Sequence, residues 1–195
     1  MNSSSAKLNA VWSLCQYTSL ATSLDLFSDS NARQRSVDCM ADDNTAMRLA
    51  YGTSAELALQ RYAMLQALTV CGSLAKAGGG GGAQSCRSEW TVLPLIMARD
   101  DALHTGDLSF IRQHYDGLVA SALGGLIDPS IGLVKSDQVL IDWPPGQRDH
   151  YVLSEYNSVA NAFAYRGLRV LVELAGWLDR PDDAKKHART AALLQ

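Results

Sequence analysis

Asp29-Ser30-Asn31-Ala32-Arg33-Gln34-Arg35 places one carboxylate, two guanidinium groups and several amide or hydroxyl side chains within seven consecutive residues. Arginine forks beside a carboxylate can grip a polyhydroxylated ligand or tune the acidity of a neighbouring acid. A solvated connector between helices would use the same residue types. Further carboxylates follow at Asp38, Asp42 and Asp43. The adjacent pair Asp42-Asp43 can supply a proton if burial or the like-charged neighbour raises a pKa. It equally suits the solvated start of a helix near Ala46, where the helix dipole favours negative charge.

Other chemistries find little support. Residues 78–82 are five glycines in a row, with no following Gly-Lys-Ser/Thr and no flanking strand, so they predict a surface loop and not a phosphate cradle. Cys15, Cys39, Cys71 and Cys86 form no Cys-x-x-Cys pair, and His104, His114, His150 and His187 lie at no metal-ligand spacing. Free, mostly buried thiols, no metal and no cofactor are therefore expected. His150 follows Asp149, but sequence neighbours on a loop seldom face each other, and no nucleophile elbow accompanies them.

A length of 195 residues predicts one domain, and 47% hydrophobic with 19% charged residues predicts a globular one. The net charge of -3 and pI near 5.7 leave no basic stripe for nucleic acid. No apolar run reaches membrane length. Residues 1–8 lack the apolar segment of a signal peptide, which predicts a soluble, cytoplasmic chain if Met1 is the true start.

The elements that must position these groups read as helix after helix. Leu8, Val11, Cys15, Thr18 and Thr22, widened by Trp12 and Leu14, predict an amphipathic helix ending near Leu26. Thr53-x-x-Glu56 is a capping-box pattern, predicting a second helix with Ala58, Tyr62, Leu65 and Leu68 buried. A third is expected from about Trp90 to Leu103 with Pro94 in its first turns. Thr105-Gly106-Asp107 stops it and starts a fourth, whose inner face is Leu108, Ile111, Tyr115, Leu118 and Ala122. Residues 128–156 are irregular, with 132–135 and 138–141 readable as brief strands or loop, and a stretch of this kind is more often functional than idle. Asn157 caps a fifth helix running to Leu178, apolar on most sides, and Asp182 begins a sixth. The expected fold class is all-α, built of antiparallel helical hairpins.

Residues 8–43, centred on Asp29-Ser30-Asn31-x-Arg33-x-Arg35, resemble the α-L-rhamnosidase family of glycoside hydrolases, and the likeness continues in order along nearly the whole chain. It is most specific at that loop, at Ser88-Glu89-Trp90-Thr91-Val92-Leu93-Pro94, at Thr105-Gly106-Asp107 and at Asp142-Trp143-Pro144-Pro145 with Arg148-Asp149 and Tyr151. The resemblance implies a six-hairpin (α/α)6 toroid, of which this chain would be a part, with the sugar site at one end. It implies that Asp29 binds a sugar hydroxyl and that Arg33 braces the site. Trp90 would stack on a pyranose face with Glu89 on its hydroxyls, and Asp142-Trp143 would form a second sugar-binding loop.

One departure bears on the chemistry. The family's general acid, a glutamate, falls on Gln34, and an amide cannot protonate a leaving oxygen. Asp38, Asp42 or Asp43 could supply that proton. The implied reaction is hydrolysis of terminal α-L-rhamnosyl bonds with inversion, on a rhamnosylated carbohydrate or glycoside. The family's base lies on a hairpin beyond the equivalent of Gln195, so the chain is expected to be incomplete and inactive alone. Two other readings stay open: a rhamnose-binding pseudoenzyme, and a helical interaction module whose loops are incidental.

Overall fold

Asn157 caps the start of the sixth helix as its sequence predicts. Its side chain accepts from the Ala160 N–H at 2.8 Å, and α6 runs Ser158–Trp177. In the computed structural model, which describes residues 2–24, 27, 40–54, 57–77, 89–136, 150–152 and 154–195, the other helices are α1 Ala6–Ala21, α2 Met40–Thr53, α3 Ala58–Ala77, α4 Leu93–Thr105, α5 Ser109–Ala120 and α7 Pro181–Ala192. The fold is all-α. Two short strands, β1 Ile127–Asp128 and β2 Leu133–Val134, pair antiparallel, and Gly132 turns between them at φ 71°. No helix among the described residues is long and apolar enough to cross a membrane.

The chain divides into two units, Met1–Gln66 and Ala67–Gln195. In the second, α6 is the hub. Gly167, Leu168, Val170, Leu171, Leu174 and Ala175 are all buried, and α4, α5 and α7 pack against the helix. Arg166 and Arg169 face solvent, while Glu173 takes a charge-assisted hydrogen bond from Arg99 of α4. The α4–α5 turn follows its sequence closely. Gly106 adopts φ 73° and donates to the Ala102 carbonyl, and Asp107 accepts from the Ser109 N–H at 2.8 Å. Pro94 sits in the first turn of α4, where its missing N–H costs nothing.

In the first unit the structure corrects several expectations. The first helix ends at Ala21, not near Leu26. Its expected inner stripe is open: Leu8, Val11, Leu14, Cys15 and Thr18 are exposed, Trp12 and Thr22 are partly so, and Ser19 is its buried residue. Cys15, expected buried, is exposed with the rest of that stripe. Thr53 closes α2 and does not open the next helix: its hydroxyl donates back to the Leu49 carbonyl at 2.9 Å, four residues earlier. The residues around Ala46 thus form a full helix of their own, making seven helices among the described residues and not six. On α3, Tyr62 and Leu65 face outward, and the buried face is Gln60, Ala63 and Met64, continued in the second unit by Ala67 and Leu68. Glu56, the glycine run 78–82 and residues 138–141 lie outside the described residues.

Gly167 marks a close approach of α6 to its neighbours in the second unit. A Cβ there would lie 2.8 Å from Val92 Cγ1, inside contact distance of a fully buried side chain. Gly176, on the same helix, has nothing within 4 Å of the equivalent point. Gly167→Ala is therefore expected to lower unfolding stability by about 1–3 kcal/mol. Gly176→Ala should raise it by about 0.5–1 kcal/mol through helix propensity. Urea denaturation midpoints check both, and a shift of the same sign for the two variants would contradict the packing described.

Candidate functional site

The Asp42-Asp43 pair sits inside the first turn of α2, not ahead of the helix. Residues one apart on a helix point about 100° away from each other, and here that angle separates water from interior. Asp42 is exposed. Asp43 is only 4% exposed and lies on the same helical face as Met47 and Ala50, which are also buried. The i, i+4, i+7 spacing puts a carboxyl at the head of an apolar stripe.

Removal from water disfavours the ionised form of a carboxyl, and a like charge nearby does the same. Burial pushes Asp43 up from 3.8 to about 7, with the adjacent Asp42 carboxylate adding to the shift. The amino-terminal end of a helix favours negative charge by a fraction of a kcal/mol to about 1 kcal/mol, and desolvation outweighs it here. A carboxyl with this pKa holds its proton about half the time at neutral pH. That is the condition for a general acid.

Other buried polar groups occur in the same unit. Gln60 is 2% exposed, and its Oε1 has no hydrogen-bond partner among the described residues; the same holds for Asn44 Oδ1. The sequence reading passed over both. Gln60 could have been noticed as the polar head of the 60, 63, 64 face.

In the second unit, Glu89 and Trp90 sit where the chain enters α4. Trp90–Val92 form a single 3-10 turn that runs directly into the helix. Glu89 is 3% exposed, while Trp90 is partly exposed. The turn is held from behind by α6, because Gly167 lets Val92 approach the helix backbone. It is also held by the Thr91 hydroxyl, which donates to the Ser121 carbonyl at 3.4 Å. A buried carboxylate followed by a partly open indole can present a hydrogen-bonding edge beside a flat apolar face.

Asp42 and Asp43 thus belong to the first unit, and Glu89 and Trp90 to the second. Asp29, Arg33, Gln34, Asp38, Asp142 and Trp143 lie outside the described residues.

The sequence matches the family model of the bacterial alpha-L-rhamnosidase 6 hairpin glycosidase domain over residues 1–195. The chain belongs to that family. No curated protein and no solved structure matches it. Membership of the six-hairpin glycosidase family carries with it a carbohydrate substrate. It also fits the helical architecture found in both units.

The Asp43 environment has a thermodynamic signature. With the folded pKa above the unfolded one, folding takes up a proton between pH 3.8 and about 7. Stability therefore falls as pH rises through that window, and the penalty is complete above it. Asp43→Asn keeps the shape without the charge. Its stability relative to the parent should be roughly 2–4 kcal/mol more favourable at pH 8 than at pH 4. Parallel pH–stability curves for the two proteins would show that Asp43 is not held neutral.

Proposed function

We propose that the chain takes part in hydrolysis of terminal α-L-rhamnosyl bonds with inversion, and that Asp43 delivers the proton that Gln34 cannot. The supporting observation is the burial of Asp43 beside Asp42, which lifts its carboxyl to about 7. Protonation of the departing oxygen needs an acid that is still protonated near neutral pH, and ordinary surface aspartates are not. In this reading Asp42 keeps its neighbour protonated. The family resemblance separately gives Glu89, Trp90, Asp29, Arg33 and the Asp142-Trp143 dipeptide sugar-binding roles. Asp38, another candidate donor, lies outside the described residues.

Inversion also needs a second carboxylate that activates water, roughly 6.5–9.5 Å from the acid. The reading assigns that role to none of these residues, so the 195-residue chain is expected to bind L-rhamnose without turning over a rhamnoside. A carbohydrate-binding pseudoenzyme is the second reading, favoured by the amide at Gln34.

The two readings part on leaving-group chemistry. In a polypeptide joining this chain to the family's base hairpin, Asp43→Asn should slow hydrolysis of an alkyl α-L-rhamnoside by about 10²–10⁴-fold. A dinitrophenyl rhamnoside, whose leaving group departs without a proton, should be hydrolysed almost as fast by the variant as by the parent. Equal effects on both substrates would remove Asp43 from the acid role. Binding of L-rhamnose with no turnover of either substrate would establish the pseudoenzyme.

A further inference from the structure

Helix α7 is mostly polar and is seated in the second unit by few buried side chains. Of its residues, only His187 and Ala191 are buried, His187 to 5% exposure. The imidazole Nε2 lies 3.4 Å from the Tyr115 hydroxyl of α5, itself a buried residue. Arg180, in the turn before α7, stacks its guanidinium over the Tyr115 ring at 4.3 Å and pairs with Asp183 at 3.6 Å. Asp183 acts on the Tyr115 hydroxyl as well, though burial is the larger influence there. The α6 surface beneath contributes Leu168, Leu171, Leu174 and Ala175 and no buried ionisable group.

We infer that α7 is an acid-released strap, held down by the buried His187–Tyr115 contact and freed when the imidazole takes a proton. The charged groups acting on His187 both come from α7, while α5 contributes the Tyr115 hydroxyl. Asp183 favours the protonated ring and Lys186 opposes it, while burial, the largest influence, disfavours the charge and holds the imidazole below its usual range. Asp116 acts only on Tyr115. For a base with a depressed folded pKa, stability is full above the unfolded value of 6.5 and is lost as pH falls below it. The remaining ties of α7 do not titrate in that range. Gln195 Nε2 donates to the Tyr165 hydroxyl at 2.9 Å, and Thr190 lies against Gly124. Protonation thus acts on the one buried polar side chain of α7, while the buried apolar face of α6, on which α7 packs, is untouched.

Amide hydrogen exchange of the 195-residue chain between pH 7.5 and 5, corrected for intrinsic rates, tests this. The opening constant of α7 should rise by up to tenfold per pH unit below about 6.5, with protection of α6 unchanged. His187→Gln, a neutral side chain able to hydrogen-bond Tyr115, should abolish the pH dependence. In the parent protein the His187 ring should titrate by NMR below 6.5, over the range in which α7 opens. The inference is overturned by any of three results: α7 protection that is flat across this range, a pH dependence that survives in His187→Gln, or parallel loss of protection in α6 and α7. If the variant does not fold, a His187 ring midpoint at or above 6.5 in the parent overturns it.

Discussion

A helix with a broad buried face dictates where its neighbours go, and α6 is such a helix. Its two apolar rows must be covered, and in the second unit α4, α5 and α7 do so. The same demand fixes the entry to α4. Because Gly167 carries no side chain, Val92 can lie against the helix, and the turn bearing Glu89 and Trp90 is set by packing and not by a free loop. In the proposed role of Glu89 and Trp90 as sugar contacts, rigid backing of this kind would matter, since a displacement of about 1 Å can cost a hundredfold in rate.

Burial that covers apolar rows at no electrostatic cost becomes expensive when it includes a carboxyl, as on α2. Asp43 heads a stripe that continues with Met47 and Ala50, and its carboxyl responds by holding its proton. A fold selected for stability alone would place Asn or an apolar residue there. Retaining the acid sacrifices stability at neutral pH, as the proposed role of Asp43 requires. The same physics applied to a base gives His187, where burial removes a charge and does not retain a proton.

Much of the fold was legible because its signals are local. Asn157 and Gly106 satisfy or terminate a backbone within a few residues, and the structure uses both as the sequence suggests, while Asp107 holds the Ser109 N–H from one residue ahead of Leu108, the N-cap of α5. The rows of α6 were readable because period and length were both unambiguous. Failures came where the deciding partner is distant. Tyr62 and Leu65 look like an inner face, but the neighbours of α3 cover Gln60, Ala63 and Met64 instead. Thr53 matches a capping box, yet its hydroxyl bonds backwards and ends a helix. Of the site, the residue types and the substitution at Gln34 were visible in the sequence. Which of Asp38, Asp42 and Asp43 could act as an acid was not, because two adjacent aspartates differ only in what surrounds them. The 43, 47, 50 spacing held a hint, which the competing reading as a solvated helix start concealed.

The claim that Asp43 keeps its proton near neutrality is open to direct observation. Carboxyl-carbon NMR of the aspartate-labelled chain, with the Asp43 resonance assigned by its loss in Asp43→Asn, would follow the protonation of that one side chain across pH 3–9. This account predicts a midpoint near 7. A midpoint near the ordinary 3.8 would contradict it and leave the site without its acid.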